Sequence, residues 1–193
     1  MYDVIIIGGG PTGASAAIFT ARAELSTVVI DADKGITRRA MLENHLGFAD
    51  GITGPELVDA GRAQAERFGV TWVEDSADRL DDGPGGTFVV ATAGGETVEG
   101  RQVILATGLN PAFAKNAGIA LTDGTEPRVA TIAEVDPDGR TNRAGVWAAG
   151  AFAGTSVHTI ITAGDGARVA INLISGVKGE RWVDHDVLPT PEA

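Results

Sequence analysis

Apolar and polar positions over the first 30 residues follow the order strand, helix, strand. Tyr2–Ile7 is a β-branched apolar run that ends at glycine, which is typical of a buried strand in a parallel sheet. Residues 11 to about 24 are rich in alanine and other small residues, and this predicts a helix packed closely on that sheet. Residues 26–30 predict a second parallel strand, so the segment makes a βαβ unit of about 30 residues.

The remaining pattern predicts more strands and helices around one long loop. Residues 34–53 are polar and irregular, and a connection of that length is typical of a functional loop. Residues 110–139 have the least regular pattern. The regular segments are a helix over 54–68, a strand over 70–73, a hairpin over 87–93 and 96–99, a parallel strand over 102–106, a buried strand over 146–149 and a helix from 159 to about 174. This order predicts an α/β, Rossmann-like fold, with a central parallel sheet, helices on both sides and a small antiparallel β-meander over one face.

A glycine-rich turn lies between the first strand and the first helix. Its sequence, Gly8-Gly9-Gly10-Pro11-Thr12-Gly13, matches the pattern G-x-G-x-x-G. Gly8 permits the tight turn, Gly10 lets a pyrophosphate approach the backbone, and Gly13 lets the helix lie close to the strand. Asp31 closes the second strand, where a carboxylate can bind the ribose hydroxyls of an adenosine. The motif predicts a dinucleotide site; the alternative is a tight glycine turn with Asp31 as a cap.

The C-terminal half bears on which dinucleotide is bound, because the fingerprint alone fits both NAD and FAD. Residues 145–150 (GVWAAG) predict a strand that ends in glycine, and a helix begins at Thr159 after a short loop. In this arrangement the N-terminus of the helix points at the flavin edge that becomes negative on reduction. Its dipole favours that charge by about 0.3–2 kcal/mol. The C-terminal motif therefore favours FAD.

These features together resemble the FAD domain of the thioredoxin-reductase-like flavoproteins, within the pyridine nucleotide-disulfide oxidoreductases. The matching stretches, in the family's order, are DVIIIGGGPTGASAAIFTARA, ENHLGFADGITGPEL with RAQAERFGV, VILATG, and GVWAAGAFAGTSVHTIITAGDGARVAINL. The resemblance implies one FAD-binding domain over 1–193, with family segments 1–109 and about 127–185 joined by a short divergent connection, and a tail at 186–193. It also implies a homodimer.

Carried over position by position, the resemblance implies which residues bind an extended FAD. The adenosine would lie near Asp31 and the strand at Val73, and the flavin near Asn44 and residues 151–159. The implied residues are Gly8, Gly10, Pro11, Thr12, Gly13, Asp31, Ala32, Asn44, Ala77, Ala106, Thr107, Gly108, Gly150, Ala151, His158 and Thr159.

The chain also departs from the family. Relatives carry an NADPH domain with a Cys-x-x-Cys between their Ala-Thr-Gly strand and the later glycine-ended strand. Here only 36 residues separate Gly108 from Gly145, and the sequence contains no cysteine. Ala151 stands where relatives have an aspartate that binds the ribityl chain, a loss of about 1–3 kcal/mol of cofactor affinity. Residues 35–39 (GITRR) replace the family's Gly-Gly-Gln turn. The usual disulfide reductase mechanism is therefore excluded.

Two histidines are catalytic candidates. In relatives the position of His158 packs by the pyrimidine edge of the flavin, where an imidazole could tune the flavin or relay a proton. His45 lies in the segment that borders the flavin. The alternatives are an ordinary histidine at a helix N-terminus for His158 and an exposed loop histidine for His45. Arg38 and Arg39 could bind phosphates, but we expect them to pair with the acidic surface. For the run Asp184-His185-Asp186 we expect tail packing or solvent exposure and no metal site.

Composition narrows the partners and location. The net charge is −11 and no Lys or Arg tract occurs, which disfavours nucleic acid and anionic membranes. The acidic, lysine-poor composition suits a salt-rich cytoplasm, although a simple compositional bias explains it equally well. No apolar run is long enough to span a membrane, and the N-terminus begins directly with a strand, so we expect a cytoplasmic protein.

Three functions follow from these features. The first is an FAD-dependent oxidoreductase that receives electrons from an external donor, either a partner protein or free NAD(P)H. The second is a non-catalytic FAD-binding or regulatory subunit of a larger complex. A plain NAD-binding domain is third, and the C-terminal motif argues against it.

Overall fold

The computed structural model describes residues 1–188 and has a seven-stranded sheet at its centre. The strands are Tyr2–Ile7 (β1), Thr27–Ile30 (β2), Met41–Leu42 (β3), Ile52–Thr53 (β4), Thr71–Val73 (β5), Ala77–Asp82 (β6), Phe88–Thr92 (β7), Thr97–Leu105 (β8), Leu121–Asp123 (β9), Thr131–Ala133 (β10) and Val146–Ala148 (β11). The helices are Pro11–Arg22 (α1), Gly54–Glu66 (α2), Ala112–Asn116 (α3) and Thr159–Lys178 (α4).

The parallel part of the sheet has the order β5-β2-β1-β8-β11, and β7 and β6 continue it from β8. β1 lies between β2 and β8 and is parallel to both. β11 pairs in parallel with residues 103–105 of β8. This arrangement confirms the predicted α/β, Rossmann-like fold with a mostly parallel central sheet.

β8 joins two predicted strands into one. Residues 96–99 and 102–106 were expected to be separate strands, but Thr97–Leu105 is continuous. Its first half pairs antiparallel with β7, and its second half is parallel to β1 and β11. Gly100 interrupts the apolar pattern because the side chain of Ile5 packs against it, where a Cβ would lie 2.6 Å from Ile5 Cγ1. The β6-β7-β8 meander is therefore joined to this sheet through β8, and Leu80 and Val90 of the meander share a buried cluster with Ile5, so it covers one face as predicted.

The two faces of the sheet bury different clusters. Alternate residues of β1 divide between them, since Val4 and Ile6 face one cluster, and Ile5 and Ile7 face the other. The first cluster includes residues from the three long helices: Ala16, Ala17, Ala65, Val169 and Leu173. The second is covered by the meander and the short α3. Helices therefore lie on both sides, as predicted, but within residues 1–188 the second face carries only the five-residue α3.

The irregular connection at residues 110–139 contributes to the core. It contains α3 and the antiparallel pair β9–β10, and Phe113, Ala114 and Ile119 are buried in the second cluster. Arg143 follows the connection and donates hydrogen bonds to the carbonyls of Ala117 and Leu80. The connection thus closes one face of the sheet within the described residues.

The segment after α4 packs back onto α1. The Arg22 guanidinium donates two hydrogen bonds of 2.7 Å to Asp184 and a third of 2.7 Å to Asp186. This contact explains why two carboxylates flank His185, and it agrees with the tail packing that we expected. Of the expected tail, residues 189–193 lie outside the described residues. Within residues 1–188, no helix is both long and apolar enough to cross a membrane.

Candidate functional site

The glycine turn after β1 has the geometry that a dinucleotide requires. Gly8 has a φ of +102°, and a Cβ there would lie 2.4 Å from the Ala106 carbonyl oxygen. A Cβ on Gly13 would lie 1.8 Å from the Gly8 carbonyl oxygen, so only glycine permits α1 to approach β1 this closely. A Cβ on Gly10 would meet no atom within 4 Å. The turn is therefore closed on the protein side and open at Gly10.

The N-terminus of α1 lies at this open position and has no side-chain cap. Gly10 is the N-cap residue, Pro11 follows it, and the first turn contains no acidic residue. Free N–H groups and the positive end of the helix dipole therefore remain available to an anion. α2 provides the contrast within the same chain, because Thr53 and Glu56 form a complete capping box at its start.

A cavity of about 330 Å³ lies beside the turn. Asp31 lines it, and the backbone N–H of Asp31 donates a hydrogen bond of 3.0 Å to the Val73 carbonyl. The lining residues are Gly9, Asp31, Ala32, Asp33, Arg38, Val58, Arg62, Trp72 and Glu74. The predicted residues Asp31 and Ala32 are thus brought to one cavity next to the glycine turn at residues 8–13, which we name the phosphate turn after its predicted ligand.

Gly9 and Trp72 were not predicted as site residues. A Cβ on Gly9 would lie 2.4 Å from Trp72 Cζ3 and 2.9 Å from Asp31 Oδ2, so glycine is required where the indole and the carboxylate meet. The guanidinium of Arg62 lies 5.2 Å from the centroid of the Trp72 ring. The run of three glycines was a signal for Gly9. Nothing in the local pattern distinguished Trp72 from an ordinary strand residue.

The C-terminal motif packs directly on the phosphate turn through Thr12. A Cβ on Gly150 would lie 2.3 Å from Thr12 Oγ1, and a Cβ on Gly166 would lie 2.1 Å from the Thr12 carbonyl oxygen. The backbone N–H of Gly150 donates a hydrogen bond of 2.7 Å to the buried carboxylate of Asp165. Asp165 was not predicted, because its role requires α4 to fold back beside the strand that ends at Ala148.

The N-terminus of α4 brings both candidate histidines into one region. His158 is its N-cap residue without a side-chain cap, and its Nδ1 lies 2.8 Å from Ser156 Oγ. His45 Nδ1 lies 2.9 Å from Thr159 Oγ1, which joins the loop after β3 to the start of α4. Asn44, next to His45, is exposed. The start of α4 thus has no side-chain cap, as at α1, and two imidazoles lie beside it: His158 at the N-cap and His45 from the loop after β3.

The other predicted residues lie at the ends of strands. Ala106, Thr107 and Gly108 follow β8 directly, and Ala151 is buried after β11. Ala77 begins β6 and packs against the second core cluster. Within residues 1–188, Thr107 Oγ1 and Thr155 Oγ1 are buried hydroxyl oxygens without a hydrogen-bond partner. Such atoms usually have a partner, so these two hydroxyls fit a bound group at this edge.

Comparison with known proteins agrees with this geometry. The family model for pyridine nucleotide-disulphide oxidoreductases matches residues 2–131. The chain belongs to this family. The thioredoxin reductase of Mycolicibacterium smegmatis is 42% identical over 123 residues, which cover 62% of this chain and 38% of that protein. The thioredoxin reductase of Listeria monocytogenes is 40% identical over 113 residues, 56% of this chain and 34% of that protein. The match thus spans little more than a third of these relatives.

Solved structures of thioredoxin reductases share the fold. The atypical thioredoxin reductase of Desulfovibrio vulgaris Hildenborough aligns with a TM-score of 0.81 at 22% identity, over 93% of this chain and 99% of that chain. A thioredoxin reductase from Gloeobacter violaceus aligns with a TM-score of 0.76 at 21% identity, over 97% of this chain and 99% of that chain. At these identities the likeness establishes the fold, and the chemistry must be argued from the residues of this chain.

Proposed function

We propose that this chain binds FAD across the carboxyl ends of the parallel strands and acts as a flavin-dependent oxidoreductase with an external electron donor. One observation carries the proposal: the two uncapped helix N-termini, at Gly10 and His158, belong to helices that meet at Thr12. An extended dinucleotide that carries negative charge on its pyrophosphate, and on its flavin after reduction, suits two positive helix ends.

The phosphate and adenosine parts of the site fit FAD. Gly8, Gly10, Pro11, Thr12 and Gly13 would hold the pyrophosphate, because Gly10 leaves the backbone open and the start of α1 supplies N–H groups. Asp31 would bind the ribose, with Ala32 beside it. Their cavity of about 330 Å³ supports a bound adenosine group there. Ala77 remains a predicted contact.

The flavin end would lie between the ends of β8 and β11 and the start of α4. Its proposed contacts are Asn44, Ala106, Thr107, Gly108, Gly150, Ala151, His158 and Thr159. Bound FAD would supply two-electron redox chemistry, and Thr107 Oγ1 would gain the partner that it lacks. His158 and His45 are the proposed proton-carrying groups, since imidazole exchanges protons near neutral pH.

The proposed electron donor is external to this chain. Residues 109–144 form α3 and the β9–β10 pair, and leave no room for a second nucleotide domain between β8 and β11. The sequence also lacks a cysteine pair. A partner protein or free NAD(P)H would therefore reduce the flavin directly. A homodimer and a cytoplasmic location remain predictions.

A non-catalytic FAD-binding or regulatory subunit is the second candidate. The absence of cysteine from the sequence favours it, because the family's redox disulfide cannot form. In that case FAD would be held at the same site and would not turn over with any donor.

A two-stage experiment tests these proposals. The purified chain is incubated with FAD and desalted, and the flavin is released by heating and quantified. Absence of stoichiometric FAD would reject both candidate functions. The loaded protein is then mixed anaerobically with NADH, NADPH or reduced ferredoxin while the flavin absorbance is followed. Bleaching by one of the donors supports the oxidoreductase. Bleaching only by light supports the non-catalytic subunit.

A further inference from the structure

Arg38 joins three segments around the cavity that Asp31 lines. Its Nε donates a hydrogen bond of 2.6 Å to Asp33 Oδ1, just after β2, and its Nη1 donates one of 2.6 Å to Asp59 Oδ1 on α2. Nη1 also lies 3.2 Å from the Pro55 carbonyl oxygen, to which it donates. The guanidinium itself lines the cavity, and its side chain is only 24% exposed.

The segments that Arg38 joins differ in how else they are held. The turn at residues 36–39 already lies on the start of α2, since the Gly54 N–H donates a hydrogen bond of 2.8 Å to the Ala40 carbonyl. Asp33, in contrast, lies in the exposed chain after β2, where its φ of +54° is left-handed. Its carboxylate is bound by Arg38, which ties the chain after β2 to the turn and to α2.

The neighbouring Arg39 provides an internal comparison. It is exposed, and within residues 1–188 it forms no ion pair. The two arginines are neighbours, and replacing either one with alanine removes one positive charge. A difference between the two variants therefore reports the contacts of Arg38 and not the change in net charge.

We propose that Arg38 is a positioning residue for the adenosine end of FAD, whose ion pairs with Asp33 and Asp59 hold the cavity closed around the bound group. This inference rests on the proposed FAD site. While the pairs are formed, Asp31 and the chain after β2 stay at a fixed distance from α2, and the adenosine leaves only when they open. The dissociation rate of FAD then rises with ionic strength, because salt screens partly exposed ion pairs.

The test compares Arg38→Ala with Arg39→Ala in the full chain loaded with FAD. Dissociation is followed by flavin fluorescence after dilution into an excess of an apo-flavoprotein that is specific for FAD, and ADP affinity is measured by calorimetry on the FAD-free protein. We expect Arg38→Ala to release FAD about 3- to 30-fold faster and to bind ADP more weakly by a similar factor, as for the loss of charge-assisted hydrogen bonds. Its release rate should depend less on salt than that of Arg39→Ala, which should behave as wild type.

Two further results separate positioning from general damage. Arg38→Ala should leave the flavin absorption spectrum unchanged, because the adenosine end is remote from the flavin rings. Asp59→Asn should speed release in the same direction, and the double variant should release FAD no faster than Arg38→Ala alone, because both changes open the same pair.

Distinct outcomes would overturn the inference and the proposed function. Wild-type protein that binds neither FAD nor ADP rejects the proposed function. Wild-type protein that binds FAD, with equal release from Arg38→Ala and Arg39→Ala, rejects the role of Arg38 alone. If Arg38→Ala does not fold, Asp59→Asn and the salt dependence of the wild type decide. The inference is rejected if neither the Asp59→Asn substitution nor added salt changes the rate of FAD release.

Discussion

Gly9 and Gly10 are neighbours in the phosphate turn, yet they are required for different physical reasons. Gly9 is covered by the protein itself, because the Trp72 ring and the Asp31 carboxylate occupy the space where a Cβ would lie. Gly10 faces open space, and its φ of −67° is one that any residue adopts. Gly9 is therefore constrained by packing in the protein itself, whereas no packing contact constrains Gly10.

Substitution of these two glycines should separate stability from binding. Gly10→Ala should leave the melting temperature of the FAD-free protein unchanged but weaken FAD binding about 10-fold or more, since a methyl group would stand where the pyrophosphate approaches. Gly9→Ala should lower both the melting temperature and the affinity for FAD. Thermal melting and FAD titration measure the two effects. Gly176→Ala, at an exposed and uncrowded helix position, is the control. Full FAD affinity in Gly10→Ala would place the pyrophosphate elsewhere.

Ala151 offers a gain-of-affinity test. It is buried immediately after β11, where relatives are expected to carry an aspartate. Ala151→Asp should tighten FAD binding by about 10-fold, since a hydrogen bond with a charged partner contributes about 1.5–3 kcal/mol. The same change should lower the melting temperature of the FAD-free protein, because the carboxylate is then buried without a partner. Ala151→Asn is the uncharged control. Tighter FAD binding in Ala151→Asn but not in Ala151→Asp would contradict the expected role of the charge.

At the scale of elements, the contact between α1 and α4 brings the two halves of the site together. Gly166 of α4 lies against the backbone of Thr12 in α1, so the two helices touch without an intervening side chain. This contact depends on residues more than 150 positions apart, and it determines where the start of α4 lies relative to the phosphate turn.

Two glycines of α4 give a matched test of this contact. In Gly166→Ala the new Cβ would lie 2.1 Å from the Thr12 carbonyl oxygen, so the helices must separate, at a cost of about 1–3 kcal/mol of unfolding free energy. FAD affinity should fall as well. Gly164→Ala meets no atom within 4 Å and should stabilise the protein by up to about 1 kcal/mol through helix propensity. Chemical denaturation measures both, and equal stabilities would disprove a close helix contact.

Sequence patterns predicted the elements unevenly, for physical reasons. β1, α1 and β2 were predicted within two residues because their apolar pattern is continuous and the glycines mark the turn. β6 was missed, since its sequence ADRLDD contains one buried residue, Leu80, and four charged ones. It is a strand because its backbone pairs with β7. Edge strands of this kind carry little periodic signal.

At the scale of the whole molecule, Arg22 connects the first helix to the last described segment. The backbone N–H of Trp182 donates a hydrogen bond of 3.0 Å to Ser175 Oγ, and the Lys178 ammonium lies 4.6 Å from the centroid of the Trp182 ring. Asp184 then reaches Arg22 with a side chain that is 11% exposed. The segment after α4 is therefore held at Trp182 and at Asp184.

The ion pair makes this attachment sensitive to acid. Hydrogen bonds from Arg22, opposed in part by burial, hold the pKa of Asp184 below its usual value of 3.8. A lowered pKa in the folded state contributes stability that is present above 3.8 and is lost as the pH falls through the folded-state pKa. We expect Trp182 to become exposed over that range, with a red shift of its fluorescence.

Two variants check the assignment of this acid transition. Trp182→Phe should remove the local signal and leave the signals of Trp72 and Trp147. Arg22→Ala should show the red-shifted emission already at neutral pH, because the carboxylate has lost its partner. A wild-type transition that persists unchanged in Arg22→Ala would mean that another group controls the attachment.

Local sequence was sufficient to predict the βαβ unit, the glycine turn at residues 8–13 and a second strand–glycine–helix motif near the C-terminus. These are local: each depends on an apolar run, a glycine without a Cβ, or a helix start within a few residues. Only the tertiary structure shows that Thr12 lies between Gly150 and Gly166, that His45 reaches Thr159, and that Arg38 and Asp31 line one cavity. Contacts between distant segments depend on how the strands and helices pack, and local sequence carries no record of that packing.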